Sequence, residues 1–318
     1  MRPIVDQQTI WLMGGVLGLL ILATGVGLVL DGKVTSESAR ATVENLNARI
    51  RAWWVMCAVF SVGLLIAGPG PVVLFGLVSF LALREFITLT PTRLGDHRSL
   101  FWVFFVITPL QYVLVGLKWY GLFSTMIPIY AFLLIPTRSA IAGDHEHFLE
   151  RTAEIQWGLM VCVYCVSHAP ALLSLRIPGY EGQNARLLFF LVLVVQISDV
   201  LQYIWGKLLG KRKIAPHISP NKTWEGFLGG LGCATLIGTS LWWATPFTPW
   251  QAAGMSLAVT LMGFAGGLTM SAIKRDHGVK DYGTLIRGHG GVLDRIDSIC
   301  FAAPVFFHAT RFLLGISP

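Results

Sequence analysis

Residues 187–198 read LLFFLVLVVQIS, and Asp199 follows them directly. This run holds one amide and one hydroxyl in twelve positions, so as a helix it has almost no polar face to turn toward water. Continued to residue 205, it approaches the roughly 20 residues that a helix needs to cross a bilayer. A carboxylate at membrane depth is costly unless a cation or a metal neutralises it. The stretch therefore predicts a membrane helix that carries a functional acid.

The rest of the chain has the same apolar character. Of its 318 residues, 54% are hydrophobic and 13% are charged, and the mean hydropathy is +0.65. A soluble domain of this length requires more polar surface than such a composition supplies. We therefore predict an all-α, polytopic integral membrane protein with about ten transmembrane helices. The predicted spans are 10–30, 52–67, 71–86, 101–117, 119–135, 155–173, 187–205, 226–245, 250–272 and 292–316.

These spans form one continuous membrane domain with two regions. Residues 1–186 are an N-terminal multi-span region, and residues 187–318 carry the motifs described below. The run at 10–30 is longer than the core of a signal peptide, so we expect it to be retained as a helix. Apolar residues recur among polar ones at 33–51, which predicts a short amphipathic helix at the membrane interface.

Lys and Arg concentrate in segments separated from one another by two predicted spans. These segments are 31–51, 84–100, 136–153, 206–225 and 273–291. The positive-inside rule places all five in the cytoplasm and both chain termini outside. We expect a bacterial inner-membrane protein whose motif loops are cytoplasmic. Its net charge of +7 then favours contact with anionic membrane lipids rather than with nucleic acid.

The segment from Asp199 to Gly226 combines this acid with a basic strip. Tyr203 lies one helical turn beyond Asp199, so the two side chains share a face. Ser219 and Pro220 resemble a helix N-cap and the first helical position, which predicts free backbone N–H groups directed at an anion. An ordinary cytoplasmic flank is also basic, so this segment does not define a site by itself.

A second segment, residues 271–297, holds five Lys or Arg, four Asp and two His beside strongly apolar sequence. Gly290 and Gly291 supply a loop whose backbone can approach a ligand closely, and the helix that follows favours negative charge at its N-terminus. This arrangement predicts a phosphate site. The cations that complement phosphoryl oxygens and a leaving pyrophosphate are Lys274, Arg275, Lys280, Arg287 and Arg295.

The acids of this segment predict a metal site. Asp294 and Asp297 are three residues apart on the last helix, and Asp281 precedes the glycine loop, so two or three acids could converge on one cation. Oxygen ligands of this kind suit Mg²⁺, which completes its octahedron with water and substrate phosphate. The structural alternative is a set of mutual salt bridges at a helix entrance.

Together these residues resemble the signature of the phosphatidate cytidylyltransferases, also called CDP-diacylglycerol synthases. The signature residues present are Ser271, Ile273, Lys274, Arg275, Lys280, Asp281, Gly283, His289, Gly290, Gly291, Val292, Asp294, Arg295, Ile296 and Asp297. The upstream residues that resemble the family are Asp199, Tyr203, Gly206, Gly210, Lys211, Ser219, Pro220, Lys222, Thr223, Glu225 and Gly226. The resemblance is close over the C-terminal 120 or so residues, and before them it extends only to a hydrophobic multi-span region.

The resemblance implies transfer of the cytidylyl group of CTP to phosphatidate, giving CDP-diacylglycerol and pyrophosphate, with Mg²⁺ as cofactor. The implied catalytic residues are Asp294, Asp281, Lys280 and Arg295. The implied substrate-binding residues are Lys222, Ser219, Ser271, Lys274, Arg275, Arg287, His289, Gly290 and Gly291. The implied metal ligands are Asp294, Asp297 and Asp199, with a second, monovalent or divalent cation left open. The implied partners are CTP, phosphatidate or a related anionic lipid, membrane lipids and a second copy of the chain in a homodimer.

The chain also departs from the family pattern. Gly267 and Met270 stand where the family usually carries acids, so one expected metal ligand is missing. Arg287 and Gln202 stand where smaller residues are usual. Three alternatives therefore stay open: a cytidylyltransferase or kinase for another lipid, a non-catalytic paralogue that binds nucleotide or lipid, and a transporter.

Overall fold

A computed structural model describes residues 7–34, 36–66, 69–285 and 290–316. The described residues form ten long helical segments and one short hairpin. The helices are α1 Gln7–Lys33, α2 Glu37–Leu65, α3 Gly70–Leu89, α4 Leu94–Gly116, α5 Tyr120–Ile141, α6 Phe148–Ser174, α7 Ala185–Leu209, α8 Trp224–Ser240, α9 Pro249–Asp276 and α10 Leu293–Leu313. The hairpin pairs β1 Lys213–Ala215 with β2 Ser219–Thr223 in antiparallel register. A 3₁₀ turn, Trp242–Ala244, follows α8.

The prediction of an all-α, polytopic membrane protein is confirmed. A helix lies at each of the ten predicted spans, and eight of the described helices are long and apolar enough to cross a membrane. The other two are α8, which has 17 residues, and α2, which is strongly apolar only from about residue 52. Large apolar side chains such as Leu22 and Leu28 of α1 are exposed, as expected of a surface that lipid covers.

The predicted interfacial helix at 33–51 is not a separate element. It merges with the following span into α2, because no Gly or Pro interrupts residues 37–62. A second prediction is also corrected. Ser219 and Pro220 lie in β2 rather than at a helix start, and α8 begins four residues later, where the Thr223 hydroxyl accepts the backbone N–H of Gly226 at 3.1 Å.

Glycines allow α8 to pack closely against α7. A Cβ added at Gly226 would lie 2.9 Å from the Cα of Gly206, and one added at Gly230 would lie 2.8 Å from the Cα of Gln202. No side chain fits at such separations, so the two backbones are in contact as in other small-residue helix pairs. The Gly226 to Gly230 spacing is therefore used within the chain, and the homodimer stays a prediction.

One cluster of buried apolar side chains extends from Leu64 at the end of α2 to Phe307 near the end of α10. It includes Leu83 and Phe86 of α3 and Leu188 of α7, all of them 3% exposed or less. Side chains from residues 1–186 and 187–318 thus share one packed interior. This packing holds α3, α4, α5 and α6 against the helices that carry the motifs.

Candidate active site

A cavity of about 270 Å³ lies where α7, α8, α9, α10 and β2 meet. Residues from Asp199 to Ser298, almost one hundred positions apart in the sequence, line it. Its lining residues are Asp199, Gln202, Tyr203, Ser219, Asn221, Lys222, Thr223, Phe227, Phe264, Gly267, Ser271, Asp297 and Ser298. The cavity therefore brings together acids, hydroxyls and a lysine from both motif segments, together with three aromatic rings.

Asp199 of α7 and Asp297 of α10 form the acidic wall of this cavity. Ser298 joins them, because its hydroxyl donates to Asp199 Oδ2 at 2.8 Å while its backbone N–H donates to Asp297 Oδ1 at 2.8 Å. Two carboxylates this close in a poorly solvated place repel each other unless a cation lies between or beside them. The arrangement is thus a negatively charged recess with oxygen donors.

Lys222 of β2 supplies positive charge in the same cavity. Its ammonium lies 4.8 Å from the ring centre of Phe264. Burial lowers the pKa of Lys222, while the neighbouring charges of Asp199 and Asp297 act in the opposite direction. A Cβ added at Gly267 would lie 3.0 Å from Lys222 Nζ, so the absence of a side chain at this position leaves space for the ammonium.

Asp294 lies only one turn before Asp297 but does not line this cavity. Its Oδ1 accepts from Lys274 Nζ at 2.8 Å, and its Oδ2 accepts the backbone N–H groups of Tyr282 and Gly291, both at 2.9 Å. The carboxylate and the ammonium are both buried. Asp294 therefore has a complete set of donors within the protein and fixes the loop between α9 and α10 against the end of α9.

The N-terminus of α10 binds a carboxylate of the protein itself. Glu85 of α3 accepts the backbone N–H of Val292 with Oε1 and that of Leu293 with Oε2, each at 2.9 Å. Sequence analysis predicted a substrate phosphate at this helix end. Two amide groups at this end, those of Val292 and Leu293, already donate to Glu85, and the phosphate site stays a prediction.

The remaining predicted residues fall into three groups. Ser219 and Ser271 line the cavity, although the Ser271 hydroxyl donates to the carbonyl of Gly267 at 2.6 Å. The second group lies outside the cavity lining. Lys280 and Asp281 are exposed on the loop, and Arg275 donates to the Ile218 and Val279 carbonyls. Arg295 is partly buried, Lys274 is paired with Asp294, and Gly290 and Gly291 precede α10. Arg287 and His289 lie outside the described residues.

Of the acids predicted to converge on a cation, the described residues bring two together. Asp199 and Asp297 share the cavity, whereas Asp294 is enclosed by its own donors and Asp281 is exposed. Among the described residues, no group of three or more His, Cys, Asp or Glu is arranged to hold a metal ion. The metal site and the roles of the individual residues stay predictions.

Sequence reasoning missed Glu85 and Tyr282. Tyr282 is buried beneath the loop, and its hydroxyl donates to the carbonyl of Met270 at 3.0 Å. The signal for Glu85 was present in the sequence, because a carboxylate within the predicted span 71–86 needs a partner at membrane depth. No short-range pattern, however, links residue 85 to residue 292.

Fold and cavity define a polytopic α-helical membrane protein with a polar, charged site built from its C-terminal helices. The family follows from comparison with known sequences. The profile described as the Cytidylyltransferase family matches residues 47–313, most of the chain, and the protein belongs to this family.

Three relatives illustrate the range of similarity. The chain is 40% identical to YnbB, an uncharacterized protein of Escherichia coli strain K12, over 92% of this chain and 95% of that protein. It is 42% identical to the phosphatidate cytidylyltransferase of Staphylococcus aureus strain COL, over 40% of this chain and 50% of that enzyme. It is 44% identical to the phosphatidate cytidylyltransferase of Mycobacterium leprae, over 53% of each chain. The match thus spans about half the length of these two enzymes.

Proposed function

We propose that this protein transfers the cytidylyl group of CTP to phosphatidate or a closely related anionic lipid, releasing pyrophosphate. The observation that carries the proposal is the cavity in which Asp199 and Asp297 face the same space as Lys222. Such a space suits a metal-bound polyphosphate, since it offers oxygen donors to a cation and an ammonium to phosphoryl oxygens. The relatives from Staphylococcus aureus and Mycobacterium leprae are phosphatidate cytidylyltransferases, which supports the lipid substrate.

The residues present fit Mg²⁺. Asp199 and Asp297 supply carboxylate oxygens and Ser298 a hydroxyl, and Mg²⁺ commonly binds through one or two carboxylates while water and phosphate fill its other positions. When bound, the ion would neutralise charge on the nucleotide phosphates. Asp294 fits this role less well, because its oxygens accept from Lys274, Tyr282 and Gly291.

The chemistry asks little of proton transfer. A phosphate monoester is largely ionised near neutral pH, so an oxygen of the lipid phosphate attacks the α-phosphorus of CTP, a new P–O bond forms and the bond to pyrophosphate breaks. The protein must position both phosphates and balance their charge. We assign Lys222 to the phosphates inside the cavity, and the Lys274–Asp294 pair to holding the loop that carries Lys280.

The lipid would reach this cavity from the bilayer. Phe227 of α8 and Phe264 of α9 line it, with ring centres 4.3 Å apart, and provide an apolar wall for the upper part of an acyl chain. The basic segments around both motifs then face the cytoplasm, where CTP is present, in a bacterial inner membrane. The motif segments and the nucleotide would then be on the same side of the membrane.

The test is conversion of CTP labelled at the α-phosphate into a lipid-extractable product by the purified protein in phosphatidate micelles with Mg²⁺. An Asp199→Asn variant should lose this activity, and Asp31→Asn, which alters an exposed acid at the end of α1, should keep it. Labelled CDP-lipid that depends on Asp199 supports the proposal. Bound CTP without lipid product would instead indicate a non-catalytic paralogue.

A panel of acceptor lipids separates phosphatidate from its relatives. The observation that makes this panel necessary is the position of Lys222 beside Gly267, where a side chain would change the shape and charge of the cavity. Product from another phosphorylated lipid, with none from phosphatidate, would keep the cytidylyl transfer and replace the acceptor. Product retained in Asp199→Asn would place the reaction outside this cavity.

A further inference from the structure

Glu85 connects the N-terminal helices to the site through two contacts. Its carboxylate accepts the N–H of Val292, the residue before α10, and that of Leu293, the first residue of α10, at 2.9 Å each. The contact joins residues more than two hundred positions apart. Gly283 and Gly291 leave space for it, since a Cβ added at Gly283 would lie 2.7 Å from Glu85 Oε1 and one added at Gly291 would clash with the same carboxylate.

Both contacts are of a strong type. The first N–H groups of a helix have no partner within the helix, and the helix dipole favours a negative charge at this end. The Glu85 carboxylate accepts one of these N–H groups, that of Leu293, and also the N–H of the N-cap residue Val292, both by charge-assisted hydrogen bonds. Because Glu85 projects from α3, which is packed in the common core, the start of α10 is held at a defined position and rotation.

That position determines where the acidic wall of the cavity lies. Asp297 is one helical turn beyond Leu293, and Ser298, which joins Asp297 to Asp199, follows it directly. A shift or rotation of the first turn of α10 would therefore move Asp297 and Ser298 relative to Asp199 and Lys222. Glu85 itself does not line the cavity.

We infer that Glu85 is a positioning residue for the reaction, through which the N-terminal helices set the geometry of Asp297 in the cavity. The inference rests on the proposed function, because it assigns Glu85 a role in that site. It also gives a role to the only acid of α3. Substrate phosphate is bound on the Lys222 side, and the N-terminus of α10 serves the internal carboxylate.

The test compares Glu85→Gln with Arg84→Gln in the purified full-length protein. Gln is nearly isosteric, but its NH₂ group faces an N–H donor and cannot accept from it, so one contact is lost. Arg84 is exposed on the same turn of α3 and serves as the matched control. We expect kcat of Glu85→Gln to fall by about tenfold to a hundredfold, with the KM for CTP within about twofold of the unaltered protein.

Hydrogen–deuterium exchange supplies a readout that does not depend on activity. The amides of Val292 and Leu293 should exchange faster in Glu85→Gln, while those in the middle of α9 stay protected. Arg84→Gln should match the unaltered protein in both measurements. Glu85→Ala removes both contacts and should give the larger effect; if Glu85→Ala fails to fold, the isosteric Gln variant still decides.

Two results would overturn the inference. Unchanged exchange at Val292 and Leu293 would show that the contact does not hold α10. Faster exchange with unchanged kcat would show that the contact is structural and does not position the cavity acids. If the unaltered protein gives no lipid product from CTP, the proposed function fails, and the exchange experiment still reports separately whether Glu85 fixes the helix start.

Discussion

Asp294 and Asp297 lie three residues apart on the same helix and have opposite surroundings. Asp294 is enclosed by Lys274 and by two backbone N–H groups, so its charge is balanced within the protein. Asp297 faces a cavity together with a second carboxylate, Asp199. Three residues of separation rotate the side chain by about 60° around the helix axis. This rotation is enough to turn one acid toward the loop between α9 and α10 and the other toward the cavity.

The difference shows what the spacing of acids in a sequence does and does not determine. An i, i+3 pair predicts that two side chains are neighbours on a helix surface. It does not predict which neighbour a separate segment will cover. Lys274 of α9 and Tyr282 of the following loop enclose Asp294, whereas α7 brings Asp199 to the cavity that Asp297 faces. The comparison therefore makes separate predictions for the two acids.

The largest effect is expected for Asp297→Asn. Removing one of the two cavity carboxylates weakens cation binding where charge develops in the reaction, so activity should fall about a thousandfold. The thermal unfolding midpoint should stay close to that of the unaltered protein, because the change removes repulsion with Asp199. Turnover of labelled CTP and thermal unfolding in detergent would check both. Near-normal turnover would remove Asp297 from the site.

Asp294→Asn should lose activity together with stability. Breaking a buried ion pair leaves Lys274 without its carboxylate, which costs about 3 kcal/mol of unfolding free energy. Activity per folded molecule should fall by roughly tenfold to a hundredfold because the loop is no longer fixed. Lys274→Met, the matched change at the other partner, should give the same pattern. Lost activity at full stability would instead indicate a direct role for Asp294 in the reaction.

The sequence predicts the helices of this fold well because membrane spans depend on local composition. The run at 187–205 lies within α7, and the run at 250–272 lies within α9. The element starts are less predictable. Ser219 and Pro220 have the composition of a helix start, yet the hairpin with β1 places them in a strand. Pairing with β1 determines the strand conformation of these two residues, and local composition does not predict such pairing.

The sequence predicts which residues form the site better than it predicts which residues contact one another there. Asp199, Asp297, Lys222 and both predicted serines, Ser219 and Ser271, line one cavity. The enclosure of Asp294 and the anchoring of the helix start by Glu85 required the packing of α3 and the loop against α10. Such long-range contacts have no signature in the spacing of residues along the chain.

Lys222→Gln tests the positive charge in the cavity that Asp297 faces, as Lys274→Met tests the one beside Asp294. It removes the ammonium that shares the cavity with Asp199 and Asp297 but keeps a side chain of similar length. Losing one charge-assisted contact to phosphate should raise the KM for CTP by about tenfold. Lys213→Gln, on the exposed end of β1, is the control. A change in kcat alone would place Lys222 at the reacting phosphorus rather than at the nucleotide phosphates.

Asp281→Asn is expected to have the smallest effect. Asp281 was assigned a catalytic role by its place in the motif, but its side chain is exposed on the loop and is not part of the cavity lining. An exposed acid contributes little to stability or to charge in the cavity. Activity should therefore stay within about twofold of the unaltered protein, measured at several Mg²⁺ concentrations. A loss comparable to that of Asp297→Asn would mean that the loop closes over bound CTP and carries Asp281 into the site, so that three acids and not two act in the reaction.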